Sequence, residues 1–333
     1  MTRADARGMV LRLLRIYPWA IALVVALGLF AANEVARSSF AAWGSWPSLL
    51  ADFAPFALAA TAMTPQMLSG AGGVDISIGP LLNLVSVVII GELMAHGAGS
   101  PWLDVPAALA LGALVGAING VLVGVFRYQA VLATLCGLFV LSGLGNALLS
   151  SPASSSAAWL TDLGNQVGPV PGGLILILAP VLVWFALSRT TYLRQLYAVG
   201  GDEVAAYSAG VDVARVRIVA YTLGGLFAGI AGLALAAATQ TGDPTEATQY
   251  TLPAIAAVAL GGTSLLGGRG SLVGSIIGAA IIFQIQTLID SLNVSSDAPQ
   301  LIYGAILIVS IVVSARLGRA GTPAPDGAEA VSA

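Results

Sequence analysis

The chain has 333 residues, of which 57% are hydrophobic and only 9% are charged, with a net charge of −3. Soluble domains are roughly a quarter charged, so this composition indicates a protein that lies mainly in lipid. All 13 basic residues are Arg, which excludes a Walker-type nucleotide loop because that loop needs a Lys, and the single Cys136 excludes an intrachain disulfide.

Apolar runs of about 20 residues are long enough to cross a bilayer core about 30 Å thick. Ten such runs predict an all-α polytopic membrane protein with about ten transmembrane helices. In chain order the predicted spans are 17–36, 46–69, 79–96, 105–126, 130–149, 169–187, 216–238, 251–266, 271–289 and 299–314. We expect residues 1–16 to be a cytoplasmic N-terminal segment, 17–314 the transmembrane domain and 315–333 a disordered cytoplasmic tail.

The arginines predict the orientation of these spans. Cytoplasmic loops are enriched in Arg and Lys, and an even number of spans puts both termini on one side. With both termini in the cytoplasm, 12 of the 13 Arg lie inside and only Arg37 lies outside. The outer loops then carry mainly acidic residues. The sequence therefore predicts cytoplasmic N- and C-termini.

Residues 188–217, the polar segment, stand between two long uncharged runs and hold seven of the 29 charged residues. Gly200-Gly201 predicts a break in the chain. Asp202 is expected to cap a short helix over 203–209, and Gly210 to end it in a left-handed conformation. Asp212 is expected to cap the helix that follows. A short, well-delimited helix outside the bilayer is either a docking element for a partner or part of a solvated loop, and this pattern alone leaves both open.

Two glycine pairs share a spacing, because Gly72-Gly73 is followed by Gly79 and Gly261-Gly262 by Gly268. Such interruptions expose backbone groups to a cavity in transporters, although chance pairs are expected among 40 glycines. Asp75 beside the first pair either faces a pathway or caps the next helix.

Other polar residues in the spans either line a polar pathway or bond neighbouring helices. The candidate pathway residues are Asp75, Ser77, Asn83, Asn119, Thr134, Asn146, Thr263 and Ser264. No catalytic constellation and no metal-ligand set is present in the sequence.

Three ordered motifs resemble the ribose-type sugar permeases of ABC importers, within the branched-chain amino acid/ribose permease family. Residues 72–79, GGVDISIG, resemble that family's GGIDLSVG signature. Residues 196–211, LYAVGGDEVAAYSAGV, look like its cytoplasmic loop, and residues 254–271, AIAAVALGGTSLLGGRGS, resemble its third motif. The departures are Asp202 for the usual Asn and Pro80 where Ser is common, and residues 133–137 match the family's TLG segment only loosely.

The resemblance implies a type II ABC importer-like permease subunit in the bacterial cytoplasmic membrane, with 17–314 as the permease domain. It implies a homodimer or a pair with a related permease, fed with a monosaccharide by an extracytoplasmic sugar-binding protein. A cytoplasmic ABC ATPase would hold the ATP–Mg, so this chain would bind no cofactor, and no nucleic acid is implied. The polar segment becomes the coupling loop, with ATPase coupling assigned to Gly200, Gly201, Asp202, Glu203, Ala205, Ala206, Tyr207 and Gly210.

Two other classes of function remain to be compared with this one. An ion- or proton-coupled secondary transporter would use Asp75 and need no ATPase. An intramembrane enzyme would need paired catalytic groups, which are absent from the sequence. The family resemblance also covers permeases for branched-chain amino acids, so the substrate class is less tightly implied than the machinery.

Overall fold

The computed structural model describes residues 19–155, 157–245, 249–292, 299–306 and 308. Within these residues the chain is mostly helical. In chain order the helices are α1 (Trp19–Ala36), α2 (Trp46–Leu68), α3 (Ile78–Val87, continued by a π-helical segment Val88–Met94), α4 (Pro101–Gly124), α5 (Ala130–Leu148), α6 (Ala158–Gly164), α7 (Gly172–Ser188), α8 (Thr191–Gly201), α9 (Glu203–Ser208), α10 (Val213–Thr239), α11 (Thr251–Leu260) and α12 (Leu272–Ser291). Residues 299–306 are also helical.

Each predicted span contains one of these helices, although 299–314 is only partly described and the segments 1–16 and 315–333 lie outside the described residues. Five described helices (α1, α4, α5, α10 and α12) are long and apolar enough to cross a membrane, and α7 with α8, bent by 90°, would make a sixth. A polytopic, mostly helical membrane protein is therefore confirmed. The count of ten crossings and the orientation of the termini stay predictions.

Helix α10 is the centre of the bundle, since it packs along α4 and α2 and also contacts α3. Small residues allow this close packing. The Cα of Gly225 and the backbone nitrogen of Gly225 lie 3.0 and 3.1 Å from the position that a Cβ on Gly116 would take. Backbones that approach so closely gain dispersion contacts that a lipid-exposed helix lacks. The position of α10 therefore depends on its glycine-rich face.

Helices α2 and α11 each end in a sharp break before the next helix begins. After α2, Gly70, Ala71 and Gly72 have positive φ angles of 78°, 54° and 64°. After α11, the chain turns through residues 261–271 before α12, so the predicted span 251–266 is too long at its C-terminal end. Both interruptions predicted from the glycine pairs are present.

The segment between the predicted spans 130–149 and 169–187 contains a short helix and contributes to two short strand pairs. The strand β1 (Ala153–Ser154) pairs with β4 (Thr241–Gly242), and β2 (Gln166–Val167) pairs with β3 (Val170–Pro171), both antiparallel. Helix α6 lies between these pairs and contacts the end of α10, with Leu160 fully buried. This segment closes the end of the bundle at which α10 finishes.

Candidate functional site: a buried polar break joined to a short helix

A buried hydrogen-bond network holds the break between α2 and α3. Asp75 is only 3% exposed, and its Oδ1 accepts hydrogen bonds from the Ser77 backbone N–H at 2.9 Å and from the Ser77 hydroxyl at 2.6 Å. The amide of Gln66, in the last turns of α2, donates to Asp75 Oδ2 at 2.9 Å. Asn119 of α4 donates to Ser77 Oγ at 2.9 Å. A buried carboxylate with several donors avoids the large cost of an unpaired charge.

Two further helices bind the same break through its backbone. Thr134 of α5 accepts a hydrogen bond from the backbone N–H of Ile76 at 3.1 Å, and Thr251 of α11 donates to the carbonyl oxygen of Ile76 at 3.3 Å. The break is therefore tied to α2, α4, α5 and α11 together. A shift of the break would have to disturb contacts to all four helices.

The predicted pathway residues do not all meet at this network. Asp75, Ser77, Asn119 and Thr134 do, through the contacts above. Asn83 is buried in α3, and Asn146 is exposed on α5, where it bonds the carbonyl oxygen of Ser142. Thr263 and Ser264 lie in the second break, after α11. Their assignment to a pathway stays a prediction.

Gln66 is the member of the network that sequence reasoning missed. It is fully buried, and its Oε1 has no partner among the described residues. An amide side chain in the apolar stretch just before a helix break was the available signal.

A second feature, the glycine junction, joins three distant segments through Gly70, Gly200, Gly267 and Gly268. The backbone N–H of Gly268 donates to the carbonyl oxygen of Leu68, the last residue of α2, at 3.2 Å. A Cβ on Gly70 would lie 2.9 Å from the Cα of Gly200, and a Cβ on Gly267 would lie 2.9 Å from the Gly200 oxygen. Backbone thus meets backbone where α2 ends, where α8 ends and in the second break.

Tyr197 of α8 strengthens the junction from one side. Its hydroxyl donates to the carbonyl oxygen of Gly270 at 2.8 Å. Burial raises the pKa of the Tyr197 phenol, so the hydroxyl stays protonated and remains a donor over the physiological range.

This geometry corrects the expectation for Gly200 and Gly201. They do not break the chain, because both belong to the last turn of α8 and the chain turns only at Asp202. Gly200 is needed for a different reason. A Cβ there would overlap the carbonyl oxygen of Leu68 and lie 2.6 Å from the backbone nitrogen of Gly268. Gly201 has open space around the corresponding position.

Helix α9 has the boundaries and caps predicted from sequence, to within one residue. Asp202 Oδ1 accepts a hydrogen bond from the Ala205 N–H at 2.9 Å, and Asp212 Oδ1 accepts one from the Arg215 N–H at 3.0 Å at the start of α10. Gly210 has a φ of 84°, and its N–H donates to the carbonyl oxygen of Tyr207 at 2.9 Å. Capping by Asp and a left-handed Gly therefore delimit a helix of only six residues.

One face of α9 is fixed to the bundle. Ala206 is buried in a cluster with Leu68, Leu196 and Val216, so it is not part of the outer surface of the helix, contrary to its expected place on a docking face. A bidentate ion pair joins Glu203 to Arg217 of α10, with N–O distances of 2.6 and 3.2 Å.

The opposite face of α9 is open. Val204 and Tyr207 are 75% and 71% exposed. Beside them, a groove of about 900 Å³ runs between α9, the start of α10 and the turn after α4. A rigidly mounted helix with an exposed aliphatic and an exposed aromatic side chain has the features of a protein-docking surface.

Comparison with known proteins places this architecture in a family. Residues 47–311 match the family described as branched-chain amino acid transport system / permease component. The ribose import permease protein RbsC of Escherichia coli K12 is 36% identical over 268 residues, which cover 77% of this chain and 81% of that protein. RbsC of Bacillus subtilis 168 is 34% identical over 80% of this chain and 83% of its own length, and the fructose import permease protein FrcC of Rhizobium meliloti is 31% identical over 89% and 85%. No solved structure matches the chain.

Proposed function

Because this chain belongs to the family of branched-chain amino acid transport system permease components, we propose that it is the membrane-spanning subunit of an ATP-driven ABC importer for a monosaccharide. It is a multi-pass inner-membrane protein and a transport subunit rather than an enzyme. Its sugar would be ribose-like and would come from an extracytoplasmic binding protein. Two copies of the chain, or this chain and a related permease, would form the membrane part, with ATP–Mg on a cytoplasmic ABC ATPase.

The observation that supports this mechanism best is the connection between α9 and the two helix breaks. Helix α8 ends at Gly200, which touches the residue that closes α2 and the second break at Gly268. Helix α9 follows directly and is fixed by Ala206 and Glu203. Closure of an ATPase pair on α9 would therefore move a stiff unit rather than a loop. That unit would displace the end of α2 and the second break, and the last turns of α2 carry Gln66, which bonds Asp75.

Asp75 has a positioning role in this mechanism. Its two carboxylate oxygens bond Ser77 and Gln66, so it holds the break to α2 and, through Ser77, to α4. A secondary transporter using Asp75 as its ion site is the weaker candidate, because these contacts occupy both oxygens and the relatives above are named import permeases.

The test is recovery of the cognate ABC ATPase with the permease from membranes. Val204→Arg puts a long charged side chain on the open face of α9, where 75% of the side chain is exposed. Because this substitution disturbs no buried contact, the variant permease should accumulate in the membrane normally. The amount of ATPase recovered with it should fall about tenfold or more. Gln195→Arg, at another exposed position, on α8, is the control and should retain the ATPase. Equal ATPase recovery with both variants would contradict the docking role of α9.

A further inference from the structure

A large polar cavity lies at the end of the bundle opposite to the glycine junction. It measures about 1130 Å³ and is bordered by the first turns of α2, the last turns of α10 and α12, the start of α11 and residues 299–303. Helix α2 ends at the junction and α12 begins just after it, so the cavity is separated from α9 by nearly the full length of these helices. With α9 in the cytoplasm, as proposed above, the cavity opens on the extracytoplasmic side.

Two acidic residues border this cavity. Asp52 is the only charged residue of α2, and Asp290 is the only one of α12. Neither carboxylate forms an ion pair within the part of the chain that the structure describes. Acidic residues on membrane helices are costly, and they commonly mark a ligand site or pathway. Neither acid belongs to the network at Asp75.

The two helices present matching patterns toward the cavity. On α2, Phe56 follows Asp52 by one turn, and on α12, Gln286 and Phe283 precede Asp290 by one and two turns. Because α2 begins and α12 ends here, both acids lie at the mouth and both aromatic rings lie deeper. The ring centroids of Phe56 and Phe283 are 5.9 Å apart, and that of Tyr250 is 5.0 Å from Phe56. The cavity therefore has a polar rim and an aromatic floor.

These groups fit a small neutral solute with many hydroxyl groups. The Gln249 amide on the wall can both donate and accept, as sugar hydroxyls do. The Gln286 oxygen accepts from the Tyr303 hydroxyl at 3.2 Å, which leaves the Gln286 NH2 group as a donor. Carboxylates accept strong hydrogen bonds from hydroxyl groups. An aromatic floor suits the C–H face of a sugar ring. The rim carries two carboxylates against one guanidinium, Arg37, which disfavours an anion. The volume exceeds that of a monosaccharide and lies slightly above the range of about 300–1,000 Å³ that is typical of ligand pockets.

We propose that this cavity is the site at which the permease receives its sugar, with Asp52, Gln286 and Asp290 binding hydroxyl groups over the Phe56–Phe283 floor. The assignment rests on the proposed import function for the direction of transport, but the binding itself can be tested without transport. The cavity lies within a single copy of the chain, so one protomer supplies all the groups named here.

The experiment is protection of a cysteine by sugars. Thr287→Cys, a near-isosteric change on the cavity wall in a Cys136→Ala background, is treated with an impermeant thiol reagent in the purified permease, with and without D-ribose, D-xylose, D-fructose or D-galactose. At a concentration about ten times its Kd, a bound sugar leaves about a tenth of the sites free and slows labelling about tenfold. Leu292→Cys, which is 61% exposed at the same end but outside the cavity, is the control and should show no protection.

Protection of Thr287→Cys by at least one of these sugars, lost when Asp52→Asn or Phe56→Ala is added, is the expected result. Absence of protection by all four sugars would overturn the proposal, and so would protection by choline or by arginine in their place. Asp52→Asn should also raise the KM for sugar uptake about tenfold with little change in kcat, because it removes a ground-state hydrogen bond to a charged group. If no ATP-driven sugar uptake occurs while protection remains, the import function fails and the binding site stands.

Discussion

Gly200 and Gly201 are neighbours in one helical turn, yet the structure predicts opposite effects of adding a methyl group to each. A Cβ on Gly201 enters open space, so Gly201→Ala should stabilise α8 by up to about 1 kcal/mol through helix propensity. A Cβ on Gly200 meets backbone atoms of Leu68 and Gly268. Backbone cannot rotate away as a side chain can, so the junction must open.

The size of this difference follows from two contributions. Overpacking costs about 1–3 kcal/mol, and loss of the hydrogen bond from Gly268 N–H to the Leu68 oxygen costs about 0.5–1.5 kcal/mol. The gain in helix propensity is common to both variants and cancels in the comparison. Gly200→Ala should therefore be less stable than Gly201→Ala by about 1.5–4.5 kcal/mol.

Thermal unfolding of the purified permease in detergent measures this difference in stability, and we expect a lower unfolding midpoint for Gly200→Ala than for Gly201→Ala. Sugar uptake per ATP hydrolysed by the reconstituted complex measures how well the junction couples ATP hydrolysis to transport. Because the junction would transmit the movement of α9, Gly200→Ala should bind the ATPase and still hydrolyse ATP but transport several-fold less sugar per ATP. Equal midpoints and equal coupling ratios in the two variants would refute the argument that the junction is a tight mechanical contact.

Three further predictions follow from the contacts around the break and α9. Asp75→Asn should fold and keep ATP-driven uptake, because the Gln66 amide can rotate and offer its unpartnered oxygen to the new Asn amide. Asp75→Leu should instead lower the free energy of unfolding by about 2–4 kcal/mol in the same assay. Equal loss of stability in both variants would contradict this reasoning. Glu203→Ala should destabilise the permease by about 1–3 kcal/mol, since it leaves the 5%-exposed Arg217 without its ion pair. Adding Arg217→Met should restore most of the unfolding midpoint, whereas additive losses from the two changes would contradict the prediction. Tyr207→Ala should weaken ATPase binding by about 1–3 kcal/mol without changing the stability of the permease. The salt concentration that releases the ATPase measures the binding. A lowered unfolding midpoint would show that Tyr207 stabilises the fold instead of the docking contact.

Local chemistry made part of the fold predictable. Asp202, Asp212 and Gly210 act within one or two turns of the chain, so their capping roles could be inferred from neighbouring residues alone. The helix positions followed from the lengths of apolar runs. Gly200 could not be interpreted in this way, because the reason for a glycine there lies in Leu68 and Gly268, which are distant in sequence.

The candidate sites could likewise be predicted only where the residues that form them are close in sequence. Asp75 could be identified from the glycines beside it, but its partner Gln66 lies in the preceding helix α2, and sequence does not fix how the break folds back onto that helix. The resemblance of its loop to the family's loop assigns Ala206 to ATPase coupling, whereas packing against Leu68 and Val216 places it inside. The cavity with Asp52 and Asp290 depends on helices that begin and end at the same side of the bundle, and only the three-dimensional arrangement brings them together.

The most direct test of the central claim is uptake of labelled D-ribose into vesicles that contain the permease and the binding protein, with and without the cognate ABC ATPase. We predict uptake only when both the ATPase and ATP–Mg are present, unchanged when proton and sodium gradients are collapsed. Uptake by the permease without the ATPase, driven by a proton gradient and abolished by Asp75→Asn, would contradict the assignment as an ABC importer subunit.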